Sequence, residues 1–353
     1  MSLRDLLMAR IAAQGPITVA DYMAEALLHP THGYYTTRDP LGAQGDFTTA
    51  PEISQMFGEL VGLSLAQSWL DQGAPAPFTL AELGPGRGTL MADILRATAR
   101  VPGFHAAAQV VLVEASPILR DVQVQTLTGQ TIRHVDSIAD LPGDPLWLVA
   151  NEFFDALPIR QFQRDGAGWR ERGVGVQNGA LTFGLSPVGP QASLQHRLDD
   201  TTDGQLVETC PAATPLVAAM AQRIATHGGA ALIIDYGDWR SLGDTLQALQ
   251  NHQPTDPLAN PGAADLTAHV DFEALCTAAA PAAHSRVTPQ GVFLERLGIT
   301  ARAQALAAKL DGPALEAHIA AHRRLTHPDE MGNLFKVLGI FPSHAAPPPG
   351  LER

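Results

Sequence analysis

Apolar residues near the start of the chain recur at helical spacing. Leu3, Leu6, Leu7 and Ile11 fall on one face, and Thr18 with Asp21 reads as a capping box that opens a second helix running to about Leu28. From His29 to Ala50 the periodicity stops and turn dipeptides take over: His-Pro, His-Gly, Asp-Pro, Leu-Gly and Gln-Gly-Asp. Pro51 then stands where a first helical residue belongs, and Ile53, Met56, Phe57, Leu60, Val61 and Leu65 predict one long helix to about Asp71. Gly73-Ala-Pro-Ala-Pro77 is a linker, so residues 1–75 form an N-terminal helical and loop segment.

Beyond the linker, strand-like and helix-like runs alternate. Phe78–Leu83, Val110–Glu114, Thr131–Val135, Leu146–Ala150 and Ala231–Tyr236 have strand character, with helical stretches near 88–100, 116–128 and 212–226 between several of them. That alternation predicts an α/β, doubly wound parallel sheet with helices on both faces. Residues 76–341 are read as this core, with two insertions. Short alternating segments with Gly turns over 159–209 predict an antiparallel insertion. The aperiodic, Pro/Asp/Asn-rich stretch 251–267 predicts a long loop with the character of a lid. The Pro-rich end, 342–353, is expected to be flexible.

Composition narrows the functional classes. The 353 residues are 45% hydrophobic and 17% charged, a globular balance. The 23 basic and 36 acidic side chains leave a net charge of −13, which disfavours nucleic acid as a partner because phosphate neutralisation needs Lys and Arg. Cys210 and Cys276 are the only cysteines, too few for a disulfide framework, so a reducing compartment is expected. No window approaches a membrane span, and the N-terminus lacks a signal-peptide pattern; the expected setting is the cytoplasm. His318 and His322 lie four apart on a helix, but Ile319 occupies the place of a zincin glutamate, so no metal site is expected.

The strongest chemical signal is Leu80-Ala-Glu-Leu-Gly-Pro-Gly-Arg-Gly-Thr89. A buried strand runs into Gly84, Gly86 and Gly88, and a helix follows at once, giving a tight turn with free amide donors. Val110-Val-Leu-Val-Glu114 is a second strand ending in an acid, placed to reach the ribose hydroxyls of a bound nucleotide. The third glycine arrives one residue too early for a G-x-G-x-x-G dinucleotide fingerprint. Glu82 beside the loop would repel a pyrophosphate but suits the ammonium of an amino-acid moiety; the plainer alternative is a strand-borne acid held by local hydrogen bonds. The combination favours S-adenosylmethionine over NAD, whose binding in place of S-adenosylhomocysteine would revive the dehydrogenase reading. Asp136, just past the third strand, is placed to accept from an adenine amino group, or serves as a surface turn or helix cap.

The fourth strand ends in Trp147-Leu-Val-Ala-Asn-Glu-Phe-Phe-Asp-Ala-Leu-Pro158. Ligands of open parallel sheets sit at the carboxyl ends of the strands, so Asn151, Glu152 and Asp155 are expected at the cofactor's reactive end, unless they form an internal network. For a guanidinium acceptor, whose pKa lies above ~12, paired carboxylates are what positions and polarises the nitrogen. Gly45-Asp-Phe-Thr-Thr-Ala-Pro-Glu52 supplies two more acids. Asp46 and Glu52 either cap and charge the following helix or fold over the cofactor opposite Glu152.

Together these stretches resemble the MidA-like S-adenosylmethionine-dependent methyltransferases. The resemblance is carried by Ile17–Met23, His29-Pro-Thr-His-Gly-Tyr-Tyr35, Gly45–Ser54, Glu82–Gly88, Asn151–Ile159, Asp235-Tyr-Gly237, Asp265–Phe272 and Met331-Gly-Asn-Leu-Phe-Lys336. It implies a class I, Rossmann-like methyltransferase fold with an N-terminal helical extension and insertions. It also implies cofactor binding at Gly84, Gly86 and Gly88 with Glu114 on the ribose. The family's mitochondrial relative is a protein arginine methyltransferase needed for assembly of respiratory complex I, acting on its 49-kDa subunit. The expectation for this bacterial-looking chain is arginine N-methylation of a protein, plausibly a respiratory complex I subunit. Glu152, Asp155, Asp46 and Glu52 are assigned the catalytic work, and Glu82, Gly84, Gly86, Gly88, Glu114, Asp136 and Asn151 the cofactor. A non-enzymatic cofactor-binding assembly factor and a methyltransferase acting on a small molecule are the competing readings, and the oligomeric state stays open.

Overall fold

The computed structural model describes residues 1–37 and 48–353. Its centre is a sheet of six long strands: β1 (Phe78–Leu83), β2 (Ala108–Val113), β3 (Ile132–Val135), β4 (Leu146–Asn151), β5 (Gly229–Asp238) and β6 (Phe335–Phe341). They lie in the order β3-β2-β1-β4-β5-β6, with the short strands Ala283–His284 and Thr288–Pro289 along the outer side of β6. β1 through β5 are parallel, and β6 runs antiparallel to β5. All six residues of β1 and of β4 are buried, as strands covered on both faces must be. Strand order reverses between β1 and β4, and the crevice at their carboxyl ends is where such sheets bind ligands.

Two apolar cores cover the sheet. One face packs against the helices Gln55–Asp71 and Thr89–Thr98, with the Phe78 ring in contact with those of Trp69, Phe104 and Trp147. The other packs against the helices Ala213–His227 and Phe272–Ala278.

A third core joins the N-terminal segment to the insertions. Helices α1 (Leu3–Gln14) and α2 (Val19–Leu28) are each opened by a capping box, Ser2 with Asp5 and Thr18 with Asp21. Leu7, Tyr22, Met23 and Leu27 pack with Ile159, Val174, Leu258 and Leu266. Residues 160–209 pair antiparallel, and Ile17–Thr18 adds to the edge of that small sheet. A single-turn helix follows, α3 (Tyr34–Thr37).

Three expectations are corrected. The helix foreseen from Pro51 to Asp71 is two helices, α4 (Ala50–Ile53) and α5 (Gln55–Asp71), because Ser54 is extended (φ −161°) and its hydroxyl accepts from the Met56 N–H as a fresh cap. The stretch 251–267 is not wholly loop: Gln253–Thr255 and Asp265–Thr267 flank Gln247–Gln250 in an antiparallel sheet that buttresses α2, where the Tyr22 hydroxyl donates to the Pro257 carbonyl at 2.5 Å. The tail is packed: Leu351 is buried, and Ser64 donates to the Pro349 carbonyl.

Candidate active site

A cavity of about 360 Å³ opens at the carboxyl ends of β1, β2 and β4 and is closed over by α2, α3 and α4. On the β1 side the chain turns through three residues in the left-handed region, Gly84 (φ 58°), Gly86 (φ 53°) and Gly88 (φ 83°), into α6 (Thr89–Thr98). A Cβ at Gly84 would come within 2.9 Å of the Phe153 ring, so the loop and the turn after β4 touch only because glycine is there. Gly84 and Gly86 line the cavity. Gly88 does not: it makes the turn itself, its N–H donating to the Pro85 carbonyl at 2.8 Å.

Glu114, one residue beyond β2, also lines the cavity. Its carboxylate accepts from the Ser116 N–H (2.8 Å) and the Gln123 amide (3.2 Å), and burial raises its pKa. The Gln123 amide donates as well to the Gly86 carbonyl at 2.7 Å, tying the acid to the glycine loop. Asp136 lies at the rim, exposed and paired with Arg120 at 2.5 Å.

Glu82 and Asn151 supply the test of whether a cofactor fits. Both line the cavity, and Glu82 Oε2 and Asn151 Oδ1 are buried acceptors without a hydrogen-bond partner. Burial, with the Glu114 charge adding to it, drives the Glu82 carboxyl well above its ordinary range against the opposing Met91 N–H. Two unsatisfied acceptors beside a glycine turn are costly unless something donates to them, and an ammonium group does. The polar lining therefore fits the ammonium and hydroxyls of an adenosyl amino acid.

The turn after β4 and the start of α4 carry the acids proposed for the reaction. Glu152 lines the cavity with a left-handed backbone, φ 51°. Its Oε1 accepts from the Ala50 N–H at 3.1 Å and the Asn151 amide at 3.0 Å, so it joins the end of β4 to the start of α4. Burial and the Asp155 charge push its pKa up to about 7. Glu52 comes from α4 and accepts from the Thr89 hydroxyl at 2.6 Å, bridging to the glycine loop's helix. Asp46 lies outside the described residues.

Asp155 is the departure from expectation. It is buried behind the cavity wall rather than lining it, next to the Tyr236 hydroxyl, with burial raising its pKa to about 6. Asn151 and Glu152 face the cavity, whereas Asp155 does not, and its Oδ1 is buried without a hydrogen-bond partner.

Sequence reasoning passed over several lining residues. Thr89 and Tyr35 line the cavity, Thr89 bonded to Glu52 and Tyr35 donating its hydroxyl to Asp265 at 2.7 Å, while Gln123 ties Glu114 to the glycine loop from behind the lining. Only Tyr35 left a signal, the tyrosine pair of the His29–Tyr35 stretch. Asp235 was visible only as part of Asp-Tyr-Gly237. His318 donates to the Ala303 carbonyl and His322 shares a hydrogen bond with the Thr300 hydroxyl of a neighbouring helix, and among the described residues no group of three metal-binding side chains converges.

Comparison with known proteins bears on this site. Residues 60–290 match the family described as "Putative S-adenosyl-L-methionine-dependent methyltransferase". The chain is 38% identical over 365 residues to "Protein arginine methyltransferase NDUFAF7, mitochondrial" of Rattus norvegicus, covering 95% of this chain and 83% of that one. The Drosophila melanogaster homologue of that name is 37% identical over 373 residues, covering 97% and 85%. A Burkholderia thailandensis protein crystallised with S-adenosyl-homocysteine superposes with a TM-score of 0.82 at 32% identity, over 97% of this chain and 92% of that one.

Proposed function

From the premise that the chain belongs to the MidA-like family of S-adenosyl-L-methionine-dependent methyltransferases, we propose that it methylates a nitrogen of protein arginine. The observation that carries this reading is that Glu152 and Glu52 line the same cavity as the glycine loop, one from the end of β4 and one from α4. Two acids on one wall suit a planar cation with several N–H donors, because carboxylates bind guanidinium groups through paired, charge-assisted hydrogen bonds.

S-adenosylmethionine, when bound, supplies a methyl group on a sulfonium that is already an activated leaving group. The chain's own work is to align and deprotonate. Gly84 and Gly86 let the backbone approach the cofactor, and Glu82, Asn151 and Glu114 hold its polar ends. Glu152 and Glu52 orient the acceptor nitrogen, which gains a carbon and gives up a proton. Glu152, with a pKa raised to about 7, takes that proton near neutral pH. Asp155, set behind the wall, is not given a contact with the acceptor.

We take a respiratory complex I subunit as the acceptor, on the strength of the family resemblance. We place the reaction in a bacterial cytoplasm, which the two free cysteines suit and for which no helix of the described residues is long and apolar enough to cross a membrane. The test is methyl-labelled S-adenosylmethionine added with the purified chain to extract of a strain lacking it. Label at arginine in protein, absent with Gly86→Val, supports the reading. Label only in small molecules or RNA, or none, overturns it.

A further inference from the structure

Glu152 is a non-glycine residue in the left-handed region at the point where β4 ends, and something must hold it there. The parallel register pairs Asn151 of β4 with Ile234 of β5, and the Glu152 N–H donates to the Ile234 carbonyl at 2.9 Å. β5 runs on to Asp238, whereas the β4 chain peels away after this pair. The next three N–H groups, of residues 153–155, thus lose their ladder partners inside the protein, where unpaired donors are costly.

Asp235 takes all three. One of its carboxylate oxygens accepts from the N–H groups of Phe153 (3.2 Å), Phe154 (2.9 Å) and Asp155 (3.2 Å), and the other from its own neighbour Tyr236 at 3.0 Å. Asp235 is fully buried and does not line the cavity.

The geometry points to Asp235 as a positioning residue for methyl transfer: its carboxylate clamps the turn after β4 and so holds Glu152 in its left-handed conformation, facing the cavity. The inference rests on the proposed role of Glu152 toward the acceptor. Asparagine cannot replace the aspartate here. Its carboxamide has one oxygen for two sets of backbone donors, so either the turn or Tyr236 faces an N–H₂ group.

The experiment uses the full chain as wild type, Asp235→Asn, Glu152→Gln and the double variant. Transfer of labelled methyl to protein arginine is measured in extract of a strain lacking the chain. S-adenosylhomocysteine binding is followed by calorimetry, and amide hydrogen exchange by mass spectrometry. Asp235→Asn is expected to lower kcat about 10- to 100-fold, the scale of a misplaced reacting group. KM for S-adenosylmethionine and affinity for S-adenosylhomocysteine should stay within about threefold, because the glycine loop is untouched. Exchange at residues 153–155 should accelerate about tenfold or more, with 84–89 unchanged. In the Glu152→Gln background the same substitution should cost less than about threefold in kcat, since a residue acting through Glu152 has little left to act through.

Unchanged exchange at 153–155, or a wild-type kcat with only an acid-shifted pH profile, overturns the proposal; so does a full additional loss in the double variant. Wild type that labels no arginine sinks the functional reading instead, and faster exchange at 153–155 in Asp235→Asn then still upholds the clamp. If Asp235→Asn does not fold, it is combined with Glu152→Gly, because glycine adopts the left-handed turn without a clamp. Recovery of a folded chain supports the inference, and a pair that stays unfolded overturns it.

Discussion

The loop after β1 and the turn after β4 stand side by side at the sheet's switch point, and both need backbone in the left-handed region. They obtain it in opposite ways. The β1 loop uses Gly84, Gly86 and Gly88, for which positive φ carries no Cβ penalty. The β4 turn uses Glu152, for which a sparsely populated conformation costs about 1–3 kcal/mol. The difference follows from what each presents. The loop offers backbone to a cofactor and needs no side chain there, whereas the turn must offer a carboxylate. A remote residue, Asp235, then supplies the hydrogen bonds that offset the strain.

The largest effect expected from breaking this comparison comes at Gly86. Valine there would put a β-branched side chain at φ 53°, against the surface that approaches the cofactor. Gly86→Val should lower S-adenosylhomocysteine affinity at least about 100-fold by calorimetry while circular dichroism stays native. Retained affinity would mean that the loop's conformation is not what binds. On the other side, Glu152→Gln should lower transfer about 100-fold and leave that affinity within about threefold. A matching loss of affinity would erase the distinction between the two walls.

A smaller effect separates the walls by pH. The Glu152 carboxyl rises from 4.5 in an ordinary setting to about 7 in the fold, through burial and the Asp155 charge. Above pH 4.5 the unfolded chain releases this proton while the folded chain keeps it, so stability falls as pH rises toward 7. Asp155, raised from 3.8 to about 6, acts in the same direction over a lower range. The melting temperature of wild type should therefore decline across this window more steeply than that of Glu152→Gln. Parallel curves would show that Glu152 does not carry the burdened proton. Transfer should rise with pH through about 7 in wild type, as the ionised form of Glu152 becomes available to take a proton.

What could be read in the sequence divides along the same line. Gly84, Gly86, Gly88 and the strand before them are contiguous, and their chemistry follows from residue types that favour one backbone shape. The same is true of the capping boxes at Ser2 and Thr18. The β4 turn was located by its polar residues, but which of them face the cavity depends on contacts across the chain. Asp155 and Glu152 are three apart in a turn with no periodicity, and the partner that orients both is 80 residues or more away. The tail misled for a related reason. Its prolines carry no pattern, yet Leu351 sits so close to Gly339 that a Cβ there would come within 2.6 Å of it. Likewise Gln253–Thr255 and Asp265–Thr267 are strands because Gln247–Gln250 offers an edge on each side, not because their own residues alternate.

The smallest effect concerns a side-chain contact between the N-terminal segment and the helix after the glycine loop. Thr89 begins the helix after the glycine loop, and its hydroxyl donates to Glu52 at 2.6 Å. Valine keeps the shape and β-branching and removes only the donor, so Thr89→Val should cost about 1 kcal/mol in denaturant unfolding. If Glu52 serves the acceptor, freeing it should raise KM for the protein acceptor a few-fold and leave S-adenosylhomocysteine affinity unchanged. If affinity for S-adenosylhomocysteine falls as far as transfer does, Glu52 and Thr89 belong to the cofactor side. Glu152 is then the one carboxylate left to the acceptor, aimed by the Ala50 N–H and the Asn151 amide on its Oε1 and by the backbone turn that Asp235 clamps.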